Sequence, residues 1–577
     1  MPQSPRETFP FPTPPPPATM PTMNKTITIT LEDGQRKTCP VETIVGDLLP
    51  SPDDPATGLP YIGALVNNEL VTFAYTLDID SSVRFVTMAS DPGMQVYVRS
   101  LSFLLAKAVK DLFPSARFSV EHALGPGIYC EFTDGPEPGL SPKQAEILEA
   151  RMRELVAADI PIQRQRISYT AAFEHFEKNG QEDKVSLLRF RNPHKVVTYF
   201  CDGFRDLAHG PMTRTTGPLR YFSIIPYQAG FVLQMPSCDT APEIPEFKPI
   251  AVLSETFKEY NRWGRILGIT TVGRLNEIIA AREIRDFVKV AEALHEKKIA
   301  AIADQIASRP GTKWILIAGP SSSGKTTFAK RLAIQLRVNG LRPVTLGGDD
   351  YFVERSQTPL TPEGDYDFEH LNAMDLPVLN RDLADLDAGR EIDLPTFDFV
   401  QGKRVYKGRK LKLEEDQVVI FEGIHSLNPD LTPGLPSERK FHIYISALTQ
   451  LNLDNNNRIP TTDNRLIRRL VRDFRYRGHS AARTLEMWPN VGRGERRWIF
   501  PFQEKADAVF NSALDYELAI LAVQARPLLS QIKPDQAVYA EARRMLEFLE
   551  HFLPIEATIP PPTSIIRDFI GGSDFEY

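Results

Sequence analysis

The chain has 577 residues, which at about 100–200 residues per domain predicts three or four domains. A hydrophobic fraction of 42% and a charged fraction of 24% fit a globular chain, and a net charge of −7 argues against a protein coated in nucleic acid. Four cysteines without a CxxC spacing exclude a disulfide scaffold and a zinc ribbon, and no apolar run approaches the about 20 residues of a bilayer span. The N-terminus has neither the apolar core of a signal peptide nor an Arg-rich amphipathic stretch. A cytoplasmic location without membrane contact is expected.

Residues 1–23 hold a dense run of prolines and predict a disordered or polyproline tail. Alternation over Thr26 to Leu31, followed by Asp33-Gly34, predicts a β-hairpin, and residues 24–90 read as a small β-rich module. From Val96 the period turns helical: Leu101, Leu104, Leu105, Ala108, Val109 and Leu112 share a face that ends at Pro114. Strand-like FSVEHALGPGIYCEF and a helix around AEILEARMRELVA follow, so residues 94–230 read as one α+β domain. Residues 231–308 read as a helical linker closing on the amphipathic run IRDFVKVAEALHEKKIAAIADQI. Beyond it, apolar strands WILIAG, PVTLGG, VVIFEG and FHIYIS alternate with helices, as in a parallel sheet covered on both faces. This α/β domain is placed at 309–530, and 531–577 as a C-terminal extension in which no chemistry is legible.

The strongest signal is Gly319, Pro320, Ser321, Ser322, Ser323, Gly324, Lys325 and Thr326, which satisfy GxxxxGK[ST]. An apolar strand precedes them and a helical run opening at Thr327 follows, which is the context the motif requires. The glycines let backbone N–H groups turn inward around phosphates, and the helix N-terminus adds its dipole. Lys325 would reach the β- and γ-phosphates of ATP or GTP, and the Thr326 hydroxyl would ligate Mg²⁺. Asp349, with Asp350 beside it, ends one strand and suits proton acceptance or Mg²⁺ binding. Glu422 ends another and suits Mg²⁺ held through water. Arg465, Arg468, Arg469 and Arg472 fall on one helix face; a solvated basic helix is the usual reading of such a run, and with a phosphate loop in the same domain a lid closing on the nucleotide is at least as good a one.

Residues 313–530 resemble the uridine kinase family of P-loop kinases, a branch close to phosphoribulokinase. The resemblance rests on DDYFVERSQTP, on Phe368–Asp375, on Pro395–Phe399, on VVIFEGI, on the arginine run and on PFQEKADAVFN. It implies Asp349 as general base and Glu369 at the ribose hydroxyls, with Phe397, Asp398 and Arg404 also at the substrate. It further implies that Lys325, Arg468, Arg469 and Arg472 neutralise developing charge while Thr326 and Glu422 organise Mg²⁺. Two departures stand out. The family's base-reading histidine falls on Gly402, and the aromatic before Asp398 is Phe397, without a phenol hydroxyl.

Residues 24–230 resemble the N-terminal part of threonyl-tRNA synthetase: a TGS module of β-grasp fold, then an editing-type domain. RSLSFLLAKAV and DLAHGPMT align with that domain's HxxxH and CxxxH motifs, but the four positions read Arg99, Phe103, Ala208 and Met212. The expected architecture is therefore multi-domain: a β-grasp TGS-like module, an α+β editing-like domain, a helical linker, and an α/β P-loop kinase domain with a parallel sheet. The expected activity is ATP-dependent phosphorylation of a uridine-type nucleoside at its 5′-hydroxyl. The alternatives are a kinase of another small alcohol, such as a sugar phosphate, and an RNA-binding regulator with a nucleotide switch. The expected partners are a nucleoside substrate, an RNA or nucleotide effector at the N-terminal half, and further copies of the chain in a homo-oligomer.

Overall fold

The computed structural model describes residues 26–125, 127–134, 139–361, 364–398 and 401–576. The proline-rich stretch at 1–23 and Phe399 lie outside the described residues. β1 (Thr26–Leu31) buries Ile27 and Ile29 and turns at Gly34, whose φ is +81°, into antiparallel β2 (Arg36–Pro40). The pair joins β4 (Gly63–Val66), β5 (Glu69–Val71) and β7 (Ser81–Val86) in the order β2-β1-β7-β4-β5, with β1 and β7 parallel at the centre. Beside this sheet, the short β3 (Thr43–Ile44) pairs with β6 (Thr76–Leu77).

α1 (Asp91–Leu112) starts ahead of its apolar period because the Ser90 hydroxyl caps it, accepting from the Gly93 N–H at 3.3 Å. With α2 (Pro142–Ala157) it covers a sheet ordered β13-β14-β9-β8: β8 (Arg117–Leu124), β9 (Gly127–Asp134), β13 (Ser223–Tyr227) and β14 (Gly230–Gln234). The expected domain boundary at 230 therefore cuts a strand. β14 is buried along its length between β13 and β9, and its GFVLQ has too little alternation to stand out from a linker. A second sheet of β10 (Gln163–Ser168), β11 (Lys195–Cys201) and β12 (Phe204–Leu207) carries α3 (Tyr169–Lys178) and α4 (Glu182–Arg189). Beyond β14, residues 235–250 are not helical, and the helices α5 (Ala251–Leu267), α6 (Val272–Ala280) and α7 (Ile284–Ser308) follow.

The α/β domain is built on β15 (Trp314–Ala318), β16 (Arg342–Gly347), β19 (Gln417–Glu422), β20 (Lys440–Ser446) and β23 (Ala508–Asn511), all parallel, in the order β16-β19-β15-β20-β23. Side chains on β15 alternate between two cores: Ile315 and Ile317 face one, Trp314 and Leu316 the other. α8 (Lys325–Val338) and α9 (Leu376–Asp387) flank the sheet, and the hairpin β17 (Ile392–Asp398) and β18 (Lys403–Leu411) stands off its edge. α10 (Thr461–Arg477) and α11 (Ala481–Trp498) follow β20, and α12 (Glu517–Leu529), α13 (Tyr539–Leu549) and α14 (Arg567–Ile570) follow β23. Among the described residues no helix is long and apolar enough to cross a membrane.

Between β20 and α10, the hairpin β21 (Asn452–Asp454) and β22 (Asn457–Arg458) reaches into the front half. There the Val120 N–H donates to the Asn455 carbonyl at 2.7 Å. Lys184, 1% exposed, pairs with Asp454 and Asp206, each at 3.1 Å, and His209 Nε2 meets Asp454 at 3.0 Å. Charges this deeply buried hold only while each has its partners. The two halves are thus joined by a polar cluster leading directly into α10.

Candidate active site

β15 delivers the phosphate loop to the C-terminal edge of the parallel sheet, where open α/β sheets bind ligands. Gly319 is required there because an added Cβ would collide with the Ile445 carbonyl of β20. Ser322 and Gly324 hold φ of +59° and +82°, the left-handed turns that curl the loop before α8 begins at Lys325. Lys325 Nζ lies across the loop, donating to the Gly319 carbonyl at 3.0 Å and the Pro320 carbonyl at 3.2 Å. The hydroxyls of Ser322 and Ser323 are buried and have no partner among the described residues. Unpaired buried donors beside a helix N-terminus fit an anionic ligand such as a nucleotide phosphate.

Three acids converge on this loop. The turn Gly348–Tyr351 after β16 sends Asp349 and Asp350 different ways. Asp349 is exposed, with Lys325, Glu422 and Glu369 as its charged neighbours. Asp350 instead accepts from the Phe397 N–H at 3.2 Å and faces the β17–β18 hairpin; burial pushes its pKa up. Glu422, at the end of β19, accepts from the Thr326 hydroxyl at 2.8 Å. Burial raises its pKa to about 7, with Lys325 opposing the rise and Asp349 adding to it. Glu369 packs so closely on Gly494 of α11 that no side chain fits there, and burial raises it to about 7 as well, opposed by Arg469. Its Oε2 is buried and has no partner among the described residues.

The arginine face of α10 is where the spacing placed it, but it does not stand open over the loop. Arg465 and Arg468 are almost fully buried. Arg465 donates to the Ser321 carbonyl at 2.9 Å and to Glu495 of α11 at 3.0 Å. Arg468 donates to the Ser512 carbonyl at 2.7 Å, to Glu517 of α12 at 3.2 Å and to the Ser322 carbonyl at 3.3 Å. Arg469 reaches the Ser321 hydroxyl at 2.8 Å, and Arg472 pairs with Asp473 at 3.4 Å. Arg465, Arg468 and Arg469 grip the outside of the loop. Glu495 and Glu517 make that possible, and no motif marked either acid in the sequence.

Phe397, Asp398 and Arg404 lie together on the neighbouring hairpin. The Phe397 ring meets Phe352 edge-on at 5.7 Å, and the Asp398 carboxylate accepts from the Gln401 N–H at 3.0 Å. Arg404 pairs with Asp375, the N-cap of α9, at 2.8 Å. Gly402 has φ of +68°, and an added Cβ would lie 2.9 Å from Arg355 Cβ. A histidine at that position would have to displace Arg355 and hold a strained backbone.

In the front half, Phe103 and Met212 sit in an apolar cluster with Ile162, Tyr199 and Cys201, against which Ala208 packs. Arg99 donates to the Pro211 carbonyl at 2.7 Å. His122 stacks on Phe257 with ring centroids 3.6 Å apart, and burial drives its pKa down to about 3. Ester hydrolysis needs a base or an activated water, and this cluster supplies neither. The full chain is therefore expected to release no amino acid from threonyl- or seryl-tRNA above background. Deacylation abolished by His122→Ala would contradict that.

Residues 314–519 match the Phosphoribulokinase / Uridine kinase family. The threonine–tRNA ligase of Desulforamulus reducens is 32% identical over 200 residues, covering 34% of this chain and 31% of that protein. That of Coxiella burnetii is 32% identical over 166 residues, covering 29% and 25%. The chain thus spans about a third or less of these curated relatives. A solved structure described as a possible uridine kinase from Bacillus stearothermophilus is 21% identical, covering 37% of this chain and 97% of that one, with a TM-score of 0.26.

Proposed function

From a chain that joins a phosphoribulokinase/uridine kinase-type domain to a region resembling threonyl-tRNA synthetase, we propose an ATP-dependent kinase of a small alcohol. The observation that carries it is the convergence of Lys325, Asp349 and the Thr326–Glu422 pair on one phosphate loop. Lys325 swings from the loop carbonyls to the β- and γ-phosphates. Asp349 takes the proton of the acceptor hydroxyl as that oxygen attacks the γ-phosphorus in line, the bond to the β–γ bridging oxygen breaks, and ADP leaves. Glu369, half-buried with its Oε2 enclosed and unpartnered among the described residues, orients the acceptor's neighbouring hydroxyls. Thr326 and Glu422 are the residues that would hold Mg²⁺, which when bound offsets charge on the phosphates.

A pH dependence follows from Glu422. Mg²⁺ needs the carboxylate, and burial holds this group's pKa at about 7 instead of 4.5. The folded chain keeps this proton between those two values, so the group's contribution to ligand-free stability falls as pH rises across that window. Mg²⁺-dependent nucleotide affinity is expected to run the other way, strengthening several-fold from pH 6 to pH 8. Titration calorimetry at both pH values checks this, and Glu422→Gln should flatten the difference.

Within this class we favour a uridine-type nucleoside 5′-hydroxyl as acceptor, on the motif match around Asp349 and Glu369. One observation favours a phosphorylated sugar instead: Lys407 and Arg409 on β18 are exposed and are charged neighbours of Asp350. A γ-phosphate transfer assay across nucleosides and sugar phosphates decides between them. The front half, three of its four editing-type positions filled by apolar packing and the fourth by Arg99, is proposed as a binding module for an RNA or nucleotide effector.

A further inference from the structure

Where the front-half sheet meets α5, β8, β9 and the β13–β14 turn enclose with that helix a cavity of about 530 Å³. That volume lies within the about 300–1,000 Å³ of small-molecule sites. None of the four editing-type positions lines it, and no residue of the phosphate loop does. One wall is aromatic. His122 and Tyr129, both buried, set their rings 5.1 Å apart, and Tyr227 meets Tyr129 edge-on at 6.3 Å. The Tyr227 hydroxyl is fixed in turn by the Ser254 hydroxyl of α5 at 3.0 Å.

The other wall is cationic. Lys258, Arg262 and Arg265 follow one another at i, i+4 and i+7, along one face of α5, and all three are exposed. Lys258 pairs with Glu255 at 2.8 Å, and Arg265 with Glu131 of the cavity at 3.0 Å. Arg262 makes no ion pair among the described residues. Glu121 accepts from the Asn261 side chain at 3.2 Å, and burial raises its pKa, which favours the neutral acid beside this rim. The wall is also held firmly. Phe257, stacked on His122, packs with Ala318 and Tyr444 of the parallel sheet, and the Tyr260 hydroxyl donates to the Asn511 carbonyl at 3.3 Å.

His122 supplies the second sign of a ligand. It is 7% exposed, and its Nδ1 is buried without a partner among the described residues. Buried polar atoms are normally paired, so a neutral imidazole in a cavity wall offers an unmade hydrogen bond. A flat heteroaromatic ring with polar edges satisfies the aromatic wall and the imidazole together, and an attached anion satisfies the exposed cations.

We propose that this cavity is a binding site for a mononucleotide, with the base against His122 and Tyr129 and the phosphate at Lys258 and Arg262. This rests on reading the front half as a binding module, and it names where that module takes a nucleotide.

The test uses the full chain with AMP and with UMP, neither of which carries the β- and γ-phosphates sought by the phosphate loop. Amide exchange in residues 254–266 and 127–131 should slow when at least one of them is added. Arg262→Glu, at an exposed position, should weaken that binding about tenfold or more at low salt. His122→Phe keeps a ring on Phe257 and removes the nitrogens, and should weaken it about three- to tenfold. Unchanged affinity in Arg262→Glu, or no protection of these segments by either mononucleotide, would overturn the site. Protection elsewhere within residues 26–234 would overturn this cavity and leave the module reading standing. No protection of the front half by AMP, UMP or a short single-stranded RNA would overturn both.

Discussion

Asp349→Asn is expected to lower phosphoryl-transfer turnover by about 10²–10⁴-fold while leaving nucleotide affinity within a few-fold. The two adjacent acids are chemically alike in sequence, and the turn at Gly348–Tyr351 separates them. Asp349 points to the side of Lys325, Glu422 and Glu369, whereas Asp350 is engaged by the Phe397 N–H. Asp350→Asn should therefore loosen the β17–β18 hairpin and cost turnover far less. Lys325→Ala should damage binding and turnover together, since the lysine meets phosphates in both ground and transition states. Steady-state kinetics with a parallel nucleotide titration distinguishes the three variants. A crippled Asp350→Asn beside a mild Asp349→Asn would move the base by one residue.

Arg468→Ala is expected to cost stability before it costs chemistry. Its side chain is fully buried and its guanidinium is shared between Glu517, the Ser512 carbonyl and the Ser322 carbonyl. Removing it strands Glu517 in the interior, a change on the scale of about 3–5 kcal/mol for a buried pair broken on one side. A mobile lid arginine would behave differently, losing turnover with no change in unfolding. Arg468→Lys should not rescue, because an ammonium cannot reproduce the fork that holds Glu517, Ser512 and Ser322 together. Thermal unfolding followed by amide exchange within α10 and α12 measures the effect locally, which suits a chain of several domains. Arg472→Ala, at a less buried site whose ion pair with Asp473 is 3.4 Å long, should leave the unfolding of α10 close to wild type.

What the sequence revealed was local. The Asp33-Gly34 turn, the α1 stripe from Leu101 to Leu112 and the strand–loop–helix around Gly319–Thr326 each carry their signal within about twenty residues. The structure reproduces all three. Long-range partners leave no such trace. Nothing near Arg465 or Arg468 foretells Glu495 and Glu517, so the same arginine spacing suits an open lid and a buried clamp equally well. The hairpin Asn452–Arg458 looks like a polar loop, and only the fold brings Asp454 to Lys184 and His209. The C-terminal extension was illegible for the same reason: Ile565 and Phe569 pack on Gly324 and Arg468, which are remote in the chain. The apolar replacements at Phe103, Ala208 and Met212, by contrast, were readable as lost chemistry, and the structure packs them into one cluster.

The most direct measurement of the central claim is transfer of radiolabelled γ-phosphate from ATP to a panel of nucleosides and sugar phosphates by the full chain. Labelled phosphomonoester should appear on at least one small alcohol, depend on Mg²⁺, and be abolished by Lys325→Ala and nearly abolished by Asp349→Asn. ATP binding of ordinary affinity with no labelled acceptor anywhere in the panel would contradict a kinase and leave a nucleotide-gated binding protein in its place.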